Sequence, residues 1–212
     1  MVELILTLSK FLYLLSATLV IGQVLAAIFF ANNQQGTIEN SDLPILKKAS
    51  NYAWIWAGAT ALFIVATLAS VLEVGIGQVL DFTMLRSFIT QISLGKFLTF
   101  QLIGAIVVAI TARIATRITT ATMILIIAFS ALSAPIFQSH SASGGSHLVA
   151  IGTLLVHVIA ITLWVGGLLS IVINKELDKS YALKRFSQLA LWAALAVVIS
   201  GTINAWIRLN FE

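Results

Sequence analysis

The 212-residue sequence has no cysteine, only two prolines, and little charge: Asp, Glu, Lys and Arg together make up 9% of it. The lack of cysteine excludes disulfides, thiolate metal sites, iron–sulfur clusters and cysteine nucleophiles. With so few prolines, long helices run unbroken. The scarcity of charge excludes a soluble globular fold, because such domains carry roughly a quarter charged residues. No nucleotide-binding glycine loop, Gly-x-Ser-x-Gly elbow or acid pair at catalytic spacing occurs, so neither ATP hydrolysis nor acyl transfer is expected and the chain reads as a non-enzyme.

What the sequence does contain is apolar: 59% of its residues are hydrophobic and the mean hydropathy is +1.03. Runs free of Lys, Arg, Asp and Glu extend over Phe11–Ala31, Ala49–Leu72, Phe97–Ala112, Ile118–Phe137, Leu148–Ile173 and Phe186–Ile207. Crossing a hydrocarbon core of about 30 Å takes about 20 such residues in a helix. The expected fold is therefore an all-α, polytopic membrane helical bundle with six transmembrane helices, formed by residues 1–212 as a single domain. The first run is longer than the roughly 7 to 15 residues of a signal-peptide core and no basic segment precedes it, so it reads as a retained helix. Between the second and third runs, Val79, Phe82, Met84, Leu85, Phe88, Ile89 and Ile92 alternate with polar residues, the pattern of an amphipathic helix lying in the interface.

The net charge of +4 rests on twelve basic residues. Eight of them, Lys47, Lys48, Arg113, Arg117, Lys175, Lys179, Lys184 and Arg185, follow the first, third and fifth runs, whereas Lys10, Arg86, Lys96 and Arg208 lie on the other side. The positive-inside rule turns the first group toward the cytoplasm and both termini outward. Basic residues spread in this way orient a chain in a bilayer, and no nucleic-acid partner is expected.

All three histidines, His140, His147 and His157, fall close together. His140 and His147 flank a small, uncharged turn on the outward side, joined by a Ser-Ala-Ser-Gly-Gly-Ser tether, while His157 lies inside the fifth run. An ionisable side chain at that depth is expensive and marks a functional position. Imidazole suits copper, zinc, iron and nickel alike. Ten residues of helix separate His147 from His157 by about 15 Å, too far for one ion bound at about 2 Å. The expected arrangement is an outward station at His140 and His147 with a second station at His157 below it. Since neutral imidazole is the ligand form, metal affinity at such a site falls below about pH 6.5.

Seven residues turn a helix through about 700°, so Trp164 falls within about 20° of His157 on the same face. Gly166, Gly167 and Ser170 give this helix a small-residue surface suited to close packing. Asn204 and Arg208, four apart, share a face near the outer end of the last helix and could line an outward vestibule. A haem b bound for electron transfer is the rival chemistry, but His157 is the only deep histidine available as an axial ligand. A third reading is a non-catalytic assembly subunit that docks a partner through the small-residue face.

Gly144-Gly145-Ser146-His147, followed by His157-x6-Trp164-x-Gly166-Gly167, then Arg185-Phe186-Ser187 and Asn204-Ala205-Trp206, resembles the copper resistance protein D (CopD) family. The likeness is to its actinobacterial branch, in which such a region is joined to a CtaG-like cytochrome oxidase assembly domain. It is specific over residues 138–209 and rests on hydrophobic layout alone before them. It implies a multi-pass inner-membrane protein that takes copper from the outer side for homeostasis or for supply to copper enzymes such as cytochrome oxidase. A periplasmic CopC-type chaperone and a CtaG-like or other membrane subunit are the implied partners. His140, His147 and His157 carry over as metal-site residues, with Trp164, Gly166 and Gly167 around them. Members of the family continue past the Asn-Ala-Trp helix with further membrane helices, which would make this chain a CopD-like domain without that C-terminal part.

Overall fold

The computed structural model describes residues 1–31, 36–138 and 147–211. Seven helices follow one another: α1 (Val2–Leu25), which widens into a π-helical turn (Ala26–Phe30), α2 (Leu43–Val71), α3 (Phe82–Gln91), α4 (Ser93–Ile114), α5 (Ile118–Ser133), α6 (His147–Ile173) and α7 (Lys179–Phe211). All but α3 are long and apolar enough to cross a membrane, and no strand occurs among the described residues. The fold is thus an all-α polytopic bundle with six candidate spans. Such a solution is forced in a bilayer, where a helix satisfies its own backbone hydrogen bonds and an open strand edge does not.

Several helices outrun their charge-free cores. The 29 residues of α2 rise about 43 Å, more than a hydrocarbon core of about 30 Å, so its first turns carry Lys47 and Lys48 beyond the apolar layer. The same holds for α7, which begins at Lys179 and includes Lys184 and Arg185.

At the centre stands α1, packed against α2, α5 and α6. In its span 61% of the most apolar stretch is buried, against 17% for α7, which rests on α6 and on the π-helical turn. The core is rich in alanine, with Ala17, Ala26, Ala49, Ala53, Ala105 and Ala128 all buried, which lets helices approach closely. The α1–α6 crossing is close: a Cβ on Gly22 would stand 2.1 Å from the carbonyl oxygen of Gly166, and one on Gly166 would stand 2.6 Å from that of Thr18. Gly167 faces the Phe186 ring of α7, which a Cβ there would meet at 2.9 Å.

α3 is capped by Asp81, whose side chain accepts from the N–H groups of Thr83 and Met84. Its Phe88 is buried beside Val79, Leu98 and Leu68, while Phe82 and Met84 are exposed. An amphipathic helix resting on the bundle edge is the result.

At the lysine-rich end a polar network ties three helices together. Buried Asn174, just past α6, donates to the Gln23 side-chain oxygen of α1 at 2.7 Å and to the Ser170 carbonyl at 2.8 Å. The Lys48 ammonium of α2 donates to Asn174 Oδ1 at 2.9 Å and to Glu176 at 3.0 Å. The two interactions differ in weight. Lys48 and Glu176 are each 31% exposed, and such a pair contributes at most about 1 kcal/mol. Asn174, in contrast, is fully buried, and Asn174→Ala strands the Gln23 oxygen. Asn174→Ala is expected to cost about 1–3 kcal/mol and Glu176→Gln less, as read by thermal unfolding in detergent; equal losses would show that the surface ion pair carries the network.

Candidate functional site

His157 sits on α6 and faces α7. Its Nδ1 lies 3.1 Å from the Ser200 hydroxyl. One turn of α6 toward its N-terminus, Thr153 donates to the Asn204 side-chain oxygen of α7 at 2.5 Å. Gly201 leaves room for the imidazole: a Cβ there would stand 3.5 Å from its Cε1, in ordinary contact. Two polar contacts, His157–Ser200 and Thr153–Asn204, thus fasten α7 to α6.

The Ser200 hydroxyl decides which ring nitrogen is available. Its single proton goes to the Ala196 carbonyl at 2.5 Å, with Val197 more distant at 3.3 Å. The serine oxygen therefore accepts from His157, placing the ring proton on Nδ1. This assignment comes from the hydrogen-bond network, as tautomers do. In that tautomer the Nε2 lone pair is free, and no hydrogen bond to Nε2 occurs among the described residues. A neutral imidazole oriented through one nitrogen and open at the other is the form that ligates a metal.

The other sequence-derived positions divide into three groups. His140 lies outside the described residues. His147 opens α6 and Arg208 lies in the last turns of α7, but their side chains are outside the described part. Because α6 is helical from His147 onward, about 15 Å of helix rise separates His147 from His157. Trp164 is 39% exposed on the outer surface of the bundle, so it is brought to no polar partner of His157. Gly166 and Gly167 are packing positions against α1 and α7. Asn204 is brought to the α6–α7 seam through Thr153. Among the described residues no three His, Asp or Glu side chains converge on one point.

Ser200 and Thr153 are the residues that sequence reasoning undervalued. Neither stands out in the sequence among the many hydroxyl residues of the spans. A weak signal existed, since Ser200 and Asn204 are four apart and so are Thr153 and His157, giving two polar stripes that match across one seam.

Residues 1–149 match the family model of the copper resistance protein D-like N-terminal domain. No curated protein and no solved structure matches the chain. The matched stretch spans α1 to α5 and the first residues of α6, which is the part where the sequence likeness had rested on hydrophobic layout alone. It adjoins and slightly overlaps the 138–209 region that carries the histidine, tryptophan and glycine elements. The match covers more than half of the chain, and this protein belongs to the copper resistance protein D-like family.

Proposed function

We propose that the protein moves copper as cargo through the inner membrane without acting as an enzyme: His140 and His147 capture the ion on the outer face, and His157 receives it within the bundle. The observation that carries this reading is the Ser200 contact, which leaves Nε2 of an intramembrane imidazole free for a metal. Family membership supplies the metal, and the eight basic residues on the opposite face turn the His140 and His147 side outward by the positive-inside rule. Delivery by a periplasmic CopC-type chaperone and transfer to a CtaG-like or other membrane subunit fit a chain with an outward histidine pair.

The helix rise between His147 and His157 argues for two stations used in turn. Replacing His140 and His147 together by alanine is expected to lower copper affinity at least tenfold, about 1.4 kcal/mol, in equilibrium binding to the detergent-purified chain. Unchanged affinity would remove the capture role and leave His157 as the entry point.

A further inference from the structure

The first turns of α7 hold a cavity of about 330 Å³ lined by Tyr181, Lys184, Arg185 and Gln188. Arg185 is fixed there: its guanidinium donates to the Tyr181 hydroxyl at 2.9 Å and lies 5.3 Å from the centre of the Tyr181 ring, within the range of a cation–π contact. Neither Lys184 nor Arg185 has an acidic partner, since the one ion pair among the described residues is Lys48–Glu176. Asp178 is committed elsewhere, accepting from the N–H groups of Ser180 at 2.9 Å and Tyr181 at 3.2 Å and so capping α7. Two cations thus share one cavity without a counter-ion among the described residues.

A second cavity, of about 340 Å³, lies deeper along the same helix, where α7 meets α6. It is lined by Gly152 and Val156 of α6 and by Ala196, Ile199, Ser200 and Ile203 of α7, and its wall is almost wholly apolar. Val156 and Ile199 are exposed, so it opens outward from the bundle. Eighteen residues turn a helix through five full turns, and Ile199 therefore lies on the face that begins at Tyr181. Trp192 and Leu195, four and seven residues past Gln188, continue that face and are both exposed. No Asp, Glu, Lys or Arg occurs from Phe186 to Ile207. From Gln188 to Ile199 the helix rises about 16 Å, about half of a hydrocarbon core of about 30 Å. One strip of α7 thus runs from a basic cavity at the membrane edge, over exposed apolar side chains, to an apolar cavity one leaflet deep.

We propose that this strip binds one anionic phospholipid of the leaflet on the lysine-rich side, its phosphate held by Lys184 and Arg185 and one acyl chain laid over Trp192 and Leu195 into the α6–α7 cavity. The two cavities are opposite in character and one leaflet apart, which matches an amphipathic anion and neither a free phosphate nor a free hydrocarbon. An Arg fork and a Lys ammonium are the donors that recognise phosphate oxygens, and basic pockets at the cytoplasmic side of membrane helices bind anionic head groups. α7 is the least buried span, so lipid reaches its whole length. Ser200 lines the deep cavity and also contacts His157, and the chain end would close the lipid side of that seam. The site uses no histidine and does not depend on the copper reading.

The test is native mass spectrometry of the full chain released from detergent micelles doped with equal amounts of phosphatidylglycerol and phosphatidylcholine. Wild type is expected to retain one phosphatidylglycerol in preference to phosphatidylcholine. Lys184→Gln combined with Arg185→Gln should bind it at least tenfold more weakly, while Lys47→Gln, which removes a basic residue of α2 from the same side, should leave binding unchanged. The apolar end is tested separately. A Cβ on Gly152 meets nothing within 4 Å, so Gly152→Leu fills the deep cavity without strain and should weaken retention several-fold. Excess inorganic phosphate should not displace the lipid. If the double variant does not fold, Lys184→Gln alone carries the test with a several-fold loss. No preference for phosphatidylglycerol, full retention in the folded double variant or in its single replacement, full retention in Gly152→Leu, or displacement by inorganic phosphate overturns the proposal.

Discussion

His157→Ala is expected to lower copper affinity by more than the roughly tenfold to hundredfold that loss of an outer-sphere partner costs, because it removes the intramembrane ligand itself. Ser200→Ala should fall within that outer-sphere range. It keeps the imidazole but deletes the acceptor that holds the proton on Nδ1, so the ring is free to rotate and to place its proton on Nε2. Ser200→Thr retains a hydroxyl and should restore most of the affinity. Nitrogen chemical shifts of the labelled imidazole read the same effect independently of copper: the Nδ1–H form should dominate in wild type and Ser200→Thr and lose its dominance in Ser200→Ala. Equal copper affinity in all three would mean that the α6–α7 seam is structural only.

The second large effect concerns the α1–α6 crossing. A Cβ on Gly22 would stand 2.1 Å from a backbone oxygen, and backbone cannot step aside as a flexible side chain can. Gly22→Ala must push α1 and α6 apart along a core that is otherwise closely packed, at a cost of about 3 kcal/mol. Gly166→Ala meets the Thr18 carbonyl at 2.6 Å and should cost a similar amount. Gly58 offers the contrast, since a Cβ there meets nothing within 4 Å. Gly58→Ala should be neutral or stabilise by up to about 1 kcal/mol through helix propensity. Thermal unfolding in detergent separates the cases, and a Gly22→Ala protein as stable as Gly58→Ala would contradict the close crossing.

The all-α bundle and its six spans were legible in the sequence because in lipid the hydropathy of a run largely decides its structure. Helix ends were less so. A rule that stops at charge cuts α2 at Lys48 and α7 at Arg185, whereas both helices continue into the interface, where Lys and Arg are tolerated. Gly166 was readable as a packing position, but its partner Gly22 is far away in sequence, and no local pattern pairs them. Asn174 was missed because it stands beside Lys175 and Glu176 and reads as part of a polar connection; only its bond to Gln23 shows that it belongs to the core. The histidines were visible as residue types, while the tautomer of His157 depended on Ser200, on a different helix.

The most direct test of the copper reading is the copper content of the detergent-purified chain after equilibration with Cu(I), Cu(II) and Zn(II) and removal of free ion. Wild type should be measured beside a variant with all three histidines replaced by alanine, with X-ray absorption on the copper-loaded wild type. Copper held by wild type through imidazole nitrogen and lost from the variant is the expected result. Wild type that retains no copper, or a variant that retains as much as wild type, would contradict it.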